Sequence, residues 1–407
     1  MKKALVITVG TGVGKDREKV VDSLASGITV SIKAHHPDKT VFIVTKESER
    51  DTVPKILEKT GMGEEDYEIK RISNMENIES IYNESIALLS ELAGEGFSPE
   101  DMVIDYTTGT RPMSAGAAIA AVAFEVETLS YVSGKREGGV VVYGTERPIL
   151  VRPYKVMVDS KLKTIANLFN INQFNACIEI IKQLKEKTGE SQIQHKLSYS
   201  EDLCKGYSYW DKFAHSKGAD ILSKIKNVPS KNKEFLGRLS NSDEKEPFYI
   251  ADLLNNAERR FKEGKYDDAV ARLYRTVELI GQYRLRVKFG IDSSNVDVDK
   301  LDSRLKEKYG KIEGKNGKIK LGLAKDYELL ADMGDDSGKK FAENNRLMDL
   351  LTNRNESILA HGLSVVSSEV FHELYGITLE FARMAVPNIE ELITNSEFPK
   401  FEELHEA

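Results

Sequence analysis

The segment DMVIDYTTGTRPMSAGAAIAAVAF, residues 101–124, reads as a strand, a polar loop and a helix in immediate succession. Its first six residues form a short apolar run of strand length. The loop from Asp105 to Met113 then offers three threonines, one glycine and one arginine. Pro112 suits the first turn of the helix that follows. The small side chains from Ser114 to Ala118 let that helix approach a neighbour closely. A polar loop between a strand and a helix is where open parallel sheets bind their ligands.

Working outward, the same unit recurs. Residues 3–9 (KALVITV) are an apolar run that ends in Gly10-Thr11-Gly12-Val13-Gly14, and an amphipathic stretch follows at 17–34. The short apolar run leading into a glycine-rich turn reads as a buried strand rather than as a signal peptide. TVFIVT (40–45) and YEIKRI (67–72) are further strands, with helices expected at 51–60 and 77–94. ETLSYVSG and GGVVVYG, within 127–144, read as a hairpin. Strands alternating with helices imply βαβ units and a mostly parallel sheet covered on both faces. Residues 1–150 are therefore expected to form a Rossmann-like α/β domain.

From about residue 155 the strand signals stop, and an all-α region is expected. Helical spacing runs through 157–190 and 198–226. The polar stretch 227–247, with Pro229 and Pro247 near its ends, reads as a linker. Helices resume at 249–263, 266–288, 299–308, 341–361 and 367–394, interrupted by a Gly- and Lys-rich loop or hairpin at 306–320. The expected division is 1–150, a helical middle region 151–247, and 248–407.

Hydrophobic residues make up 40% and charged residues 30% of the 407, which fits a folded globular protein and excludes a disordered one. No apolar run approaches the roughly 18 residues that a membrane span needs. Cys177 and Cys204 have no CxxC partner, and the seven histidines show no metal-ligand spacing, so neither a disulfide scaffold nor a metal site is expected. A reducing cytoplasm is the expected compartment. The net charge of −7 argues against a general nucleic-acid coat. All of it falls in residues 1–150, with 17 Lys+Arg against 24 Asp+Glu, while the remainder balances at 41 against 41. A polyanion bound by the first domain would therefore be held by local backbone N–H groups rather than by a positive field.

The first glycine turn is unspecific by itself, since it lacks the full GxGxxG spacing and has no following Lys-Ser/Thr pair. The Asp-x-Thr-Thr-Gly-Thr-Arg-x-Met segment after the fourth strand is more specific. Together with the Gly-Thr-Gly turn it resembles the motif of CARF domains, the Rossmann-like sensors of type III CRISPR defence, over roughly residues 1–150. The resemblance implies a homodimer that grips a cyclic oligoadenylate, a tetra- or hexa-adenylate, at its twofold axis. It implies a pocket lined by Gly10, Thr11, Gly12, Thr107, Thr108, Gly109, Thr110, Arg111 and Met113, with Thr45 and Asn74 from the ends of strands two and three. Lys135 and Arg136 read as a solvated turn.

In the helical region, Arg354, Asn355 and His361 stand out in the run NRNESILAHG, residues 353–362. On one helix, seven steps of about 100° bring Arg354 and His361 to nearly the same face. Gly362 reads as a helix C-cap, placing His361 at the negative end of the dipole, where a proton is held more tightly. An arginine and a histidine at this spacing equally suit a helix with no catalytic role. The segment nevertheless resembles the Arg-x(4–6)-His motif of HEPN ribonucleases, and residues 257–285 resemble the first helices of that bundle.

The two resemblances together match the CRISPR ancillary ribonucleases. They imply an endoribonuclease that cuts single-stranded RNA without a metal cofactor and leaves 2′,3′-cyclic phosphate ends. His361 would move the proton, Arg354 would stabilise the charged phosphorane, and Asn355 would orient the histidine or bind phosphate. A dimer would join two histidines in a composite site. The residues leave open whether the first domain also cleaves its activator. On helix 266–288, Arg272, Arg275 and Glu278 suit either a supporting role or an internal ion-pair network. The seven Lys/Arg of 301–320 suit either RNA guidance or a solvated hairpin. Two other readings stand beside this one: a ring sensor with an inert HEPN module, and a dinucleotide enzyme, which the missing acidic residue at the tip of strand two disfavours.

Overall fold

The computed structural model describes residues 2–12, 16–137, 140–312, 318–355, 359 and 362–404; for residues 136, 137, 140 and 353–355 it describes the backbone. The chain divides into two compact units, Met1–Lys161 and Leu162–Ala407.

The first unit is the expected Rossmann-like fold. Its elements are β1 (Ala4–Val9), α1 (Arg17–His35), β2 (Lys39–Val44), α2 (Lys46–Asp51), α3 (Val53–Thr60), β3 (Tyr67–Arg71), α4 (Ile78–Gly94), β4 (Met102–Asp105), α5 (Arg111–Ala123), β5 (Thr128–Ser133), β6 (Arg136–Glu137), β7 (Val140–Val141) and β8 (Arg147–Val151). The main sheet has the order β3-β2-β1-β4-β5-β8. The strands pair in parallel, Val6 opposite Val41 and Ile104, except that β8 is antiparallel to β5. Alternation along β1 supplies both faces of the sheet. Ala4 and Val6 join Leu88, Ile104 and Ala117 in one core, while Leu5, Ile7 and Val9 join Ile28, Phe42 and Ile56 in the other. The small residues of α5 let it pack tightly on α4: a Cβ at Gly116 would lie 2.8 Å from Ile81.

The expected hairpin partner of β5 is corrected. The strand paired with β5 is β8, over five residues, whereas β7 forms only a two-residue ladder with β6. An edge strand leaves one row of N–H groups unpaired, so β8 tolerates Pro148, and the apolar look of 140–143 leaves Tyr143 exposed.

The second unit contains α6 (Tyr154–Asn170, begun in the first), α7 (Phe174–Glu186), α8 (Ser191–Asp211), α9 (His215–Leu222), α10 (Ser230–Asn241), α11 (Glu246–Lys262) and α12 (Tyr266–Phe289). A two-stranded ladder of β9 (Val296–Asp297) and β10 (Lys318–Ile319) flanks α13 (Ser303–Tyr309). The chain continues through α14 (Leu323–Asp332), α15 (Asp336–Glu343), α16 (Asn345–Asn355), α17 (Ser368–Ala385), α18 (Ile389–Ser396) and α19 (Phe401–Leu404). This region is largely helical, as expected, but its middle is not a linker. Residues 230–241 form α10, which buries Phe235, Leu236 and Leu239. Three apolar side chains in a polar stretch suffice because Phe235 stacks on Trp210, ring centroids 5.5 Å apart. The single helix expected over 341–361 is instead broken at Asn344, whose side chain accepts from the Leu347 N–H at 2.9 Å and so starts α16 afresh. Both cysteines are free and buried. Among the described residues, no helix is long and apolar enough to cross a membrane, and no cluster of potential metal ligands occurs.

Candidate functional site

The strand order reverses between β1 and β4, and the carboxyl ends of strands at such a switch point, here called the β1–β4 crevice, are where open α/β sheets bind ligands. The two loops that leave these strands touch backbone to backbone. A Cβ on Gly10 would lie 2.7 Å from the Gly109 amide nitrogen and 2.9 Å from its Cα. Gly109 itself adopts φ +104°, a conformation that side chains resist.

Reciprocal hydrogen bonds lock this contact. The Thr8 hydroxyl donates to the Thr108 carbonyl, and the Thr108 hydroxyl donates to the Thr8 carbonyl at 2.6 Å. Gly10 N–H donates to Thr108 Oγ1 at 3.3 Å. On the other side of the turn, the Thr52 hydroxyl donates to the Gly10 carbonyl at 2.9 Å.

Asp105 is fully buried and anchors the second loop. Its Oδ1 accepts from the Thr107 N–H at 2.9 Å and from the Thr107 hydroxyl, while Oδ2 accepts from Ser31 of α1 at 2.5 Å. Thr107 Oγ1 in turn accepts from the Val132 N–H at 2.7 Å, fixing the loop to β5. Nearby, His35 shares a 3.0 Å hydrogen bond with Ser130. Burial pushes the His35 imidazole pKa down, and the Asp105 charge pulls it the other way.

Thr110 caps α5, accepting from the Met113 N–H at 3.3 Å, and donates its own proton to the Met75 carbonyl at 3.0 Å. Each hydroxyl has one proton to give. The three threonines expected to donate to a ligand thus spend those protons inside the protein. Thr45 likewise caps α2, accepting from the Ser48 N–H at 3.1 Å. Met113 lies in the core at 0% exposure. Exposed toward solvent are Gly12, Asn74 and Arg111, with Thr11, Thr107, Gly109 and Thr110 partly so. Arg111 begins α5 and has no ion-pair partner among the described residues. Among the described residues, the crevice therefore presents the Arg111 guanidinium, polar side chains and backbone around a hydrogen-bonded frame. Asp105, Ser31, Thr8 and Thr52 build that frame; only Asp105 lay within the segment singled out from sequence.

In the second unit, Arg354 and Asn355 are the last residues of α16, and His361 and its expected pairing with them lie outside the described residues. Leu347, Leu350 and Leu351 bury one side of this helix, and Arg346 forms a two-pronged pair with Glu373 of α17 at 2.7 and 2.6 Å. Gly362 follows in non-helical backbone, and Leu363 and Val365 beyond it are 87% and 91% exposed. On α12, Arg275 pairs with Glu278 at 2.6 Å and Arg272 with Asp268 at 3.2 Å, an arrangement internal to that helix. Lys306 and Lys308 are paired with Asp299 and Asp332, each at 2.6 Å, whereas Lys311, Lys318 and Lys320 are exposed.

A buried polar hub joins α8 and α9 to α11. Asp252, at 0% exposure, accepts from Trp210 Nε1 at 3.1 Å, contacts His215 Nε2 at 2.7 Å and pairs with Arg259 at 3.3 Å. Arg259 also reaches Asp211 at 2.8 Å and lies 3.9 Å above the Phe398 ring. Charges this deep persist only when paired on several sides.

Residues 158–247 match the family model described as the Csm6 6H domain, and residues 238–385 match the Csm6 HEPN domain. The buried hub therefore ties the 6H helices α8 and α9 to HEPN helix α11. No curated protein matches the chain. Among solved structures, Enterococcus italicus Csm6 bound to cyclic hexa-2′-fluoro-hexa-dAMP is similar, with 13% sequence identity and a TM-score of 0.58, covering 97% of this chain and 98% of that one. At that identity the likeness is one of fold, and it extends over both units. Two successive Csm6 domains after a Rossmann-like fold, spanning the same length as a solved Csm6, place this chain in the Csm6-type CARF–HEPN proteins.

Proposed function

We propose that the protein is an RNA-cleaving enzyme switched on by a cyclic oligoadenylate bound in the β1–β4 crevice. The observation that carries this reading is the Gly10–Gly109 contact, which brings the β1 and β4 loops together at the switch point of a fold similar to that of a ring-bound Csm6. Arg111 supplies the charge for a phosphate at the amino end of α5, where the helix dipole also favours an anion. A twofold ring suits a twofold protein, so two chains grip it with the same loops. Cyclic hexa-adenylate is the preferred candidate, because the similar structure holds a six-membered analogue.

The HEPN motif performs the cleavage. An RNA 2′-hydroxyl attacks the adjacent phosphorus while His361 takes part in proton transfer; the P–O5′ bond breaks, leaving a 2′,3′-cyclic phosphate and a 5′-hydroxyl. Arg354 stabilises the dianionic phosphorane with its forked donors, and Asn355 orients the histidine or a phosphate oxygen. Pairing two HEPN domains brings two such motifs together. Ring binding activates by favouring the competent state of the dimer.

The test is cleavage of a fluorescent single-stranded RNA in chelator, with and without cyclic tetra- or hexa-adenylate, alongside His361→Ala. The expected result is ring-dependent cleavage by the unaltered protein and none by the variant. Equal cleavage by the variant would remove His361 from the mechanism.

A further inference from the structure

We infer that Glu84 of α4 is a positioning residue for ring recognition, holding the β3–α4 loop against the start of α5. This rests on the reading of the crevice as the ring site. The loop, residues 73–77, carries the candidate contact Asn74, and all five residues are exposed. Next to it, between β3 and α4, lies a cavity of about 210 Å³ lined by Ile43, Ile72, Glu84, Ser85 and Leu88. With all five loop residues exposed, little packing holds the loop, and hydrogen bonds set its shape.

Glu84 supplies them. Its carboxylate accepts from the Ser73 hydroxyl at 2.6 Å, from the Ser73 N–H at 3.2 Å and from the Ser80 hydroxyl at 3.0 Å. The far end of the loop is fixed by Asn77, which caps α4 through the Ser80 N–H at 3.1 Å. Between these anchors, Asn74 Oδ1 accepts from the Glu76 N–H at 3.1 Å, which leaves the Asn74 amide hydrogens as its remaining donors. The Met75 carbonyl then accepts the Thr110 proton at 3.0 Å. A continuous chain runs from Glu84 through the loop to Thr110 and on to Arg111. Its consequence is pre-organisation: the Asn74 side chain and the backbone that carries Arg111 are held in place before the ring arrives, so binding loses less ordering entropy.

The experiment uses the full chain with Glu84→Ala and Glu84→Gln, titrated with cyclic hexa-adenylate by calorimetry and by RNA cleavage. Glu84→Ala should raise Kd roughly tenfold, the loss expected for one charge-assisted hydrogen bond. Glu84→Gln, which keeps an acceptor oxygen, should fall between it and the unaltered protein. The half-activating ring concentration should move while the maximal cleavage rate at saturation stays. Combined with Thr110→Val, the effect should be less than additive, because both substitutions break one chain. Unchanged affinity in folded Glu84→Ala, or in Glu84→Gln if the alanine variant does not fold, overturns the role of Glu84. Failure of the unaltered protein to bind any ring instead overturns the crevice reading, a separate result.

Discussion

The β1–β4 crevice and the end of α16 are built on opposite plans. In the crevice, glycine meets glycine and the protons of Thr8, Thr107, Thr108 and Thr110 are all given to acceptors within the protein. The described part of α16 is held by three buried leucines, one cap and an exposed ion pair, and exposed apolar residues follow Gly362. A frame of spent hydrogen bonds suits recognition of a fixed ring. A helix end beside exposed Leu363 and Val365 suits a site completed by another surface. The crevice is therefore expected to tolerate small backbone changes poorly, and the end of α16 to depend on few side chains.

The largest expected effect tests the second half of that statement. His361→Ala should lower RNA cleavage by roughly a thousandfold, the usual scale for a general acid or base, while ring binding measured by calorimetry stays unchanged. Next is Gly10→Ala. The added methyl would press on the Gly109 backbone, which has no flexible end to yield, and should weaken ring binding at least roughly tenfold and lower the melting temperature. A normal affinity would show that the two loops separate freely.

The 6H–HEPN hub offers a control that includes no residue of either candidate site. Arg259→Met leaves Asp211 and Asp252 buried without their shared partner and should cost about 3–5 kcal/mol in urea unfolding. A smaller effect is expected from Asp326, which is fully buried with neither carboxylate oxygen in a well-formed hydrogen bond. Burial pushes its pKa up to about 7, with Glu278 adding to the rise and Ser293 opposing it. The folded state thus holds this proton more tightly than the unfolded chain. Its favourable contribution is complete below about pH 4 and is lost as pH rises through about 7. Asp326→Asn should flatten that slope and raise the urea midpoint at pH 8 more than at pH 5. The smallest effect is Arg346→Ala, since an exposed pair contributes little; a melting temperature close to that of the unaltered protein is expected.

Much of the fold was legible because strands β1, β2 and β4 are short apolar runs that end in polar turns, and the crevice loops carry glycine and threonine at those ends. The frame behind the loops was not. Ser31 and Glu84 sit on amphipathic helices, where a polar residue reads as solvated until the tertiary partner is known. Asp211, Asp252 and Arg259 were hidden for the same reason, since buried charges look like surface charges in a string of letters. The partner of β5 was misassigned because apolar 140–143 outweighed the proline-bearing 147–151, although only the latter continues the sheet. The threonines of the β4 loop are legible as polar residues at a strand end, but which way each hydroxyl gives its proton depends on Thr8, Met75 and Asp105, and so largely on contacts distant in the chain.

The most direct test of the account is RNA cleavage measured against cyclic hexa-adenylate concentration for the unaltered protein and for Arg111→Ala. The account predicts that the variant needs a much higher ring concentration for half-activation and reaches the same maximal rate, because Arg111 serves the ring and not the RNA. Superimposable curves, or cleavage by the unaltered protein that ignores the ring altogether, would contradict it.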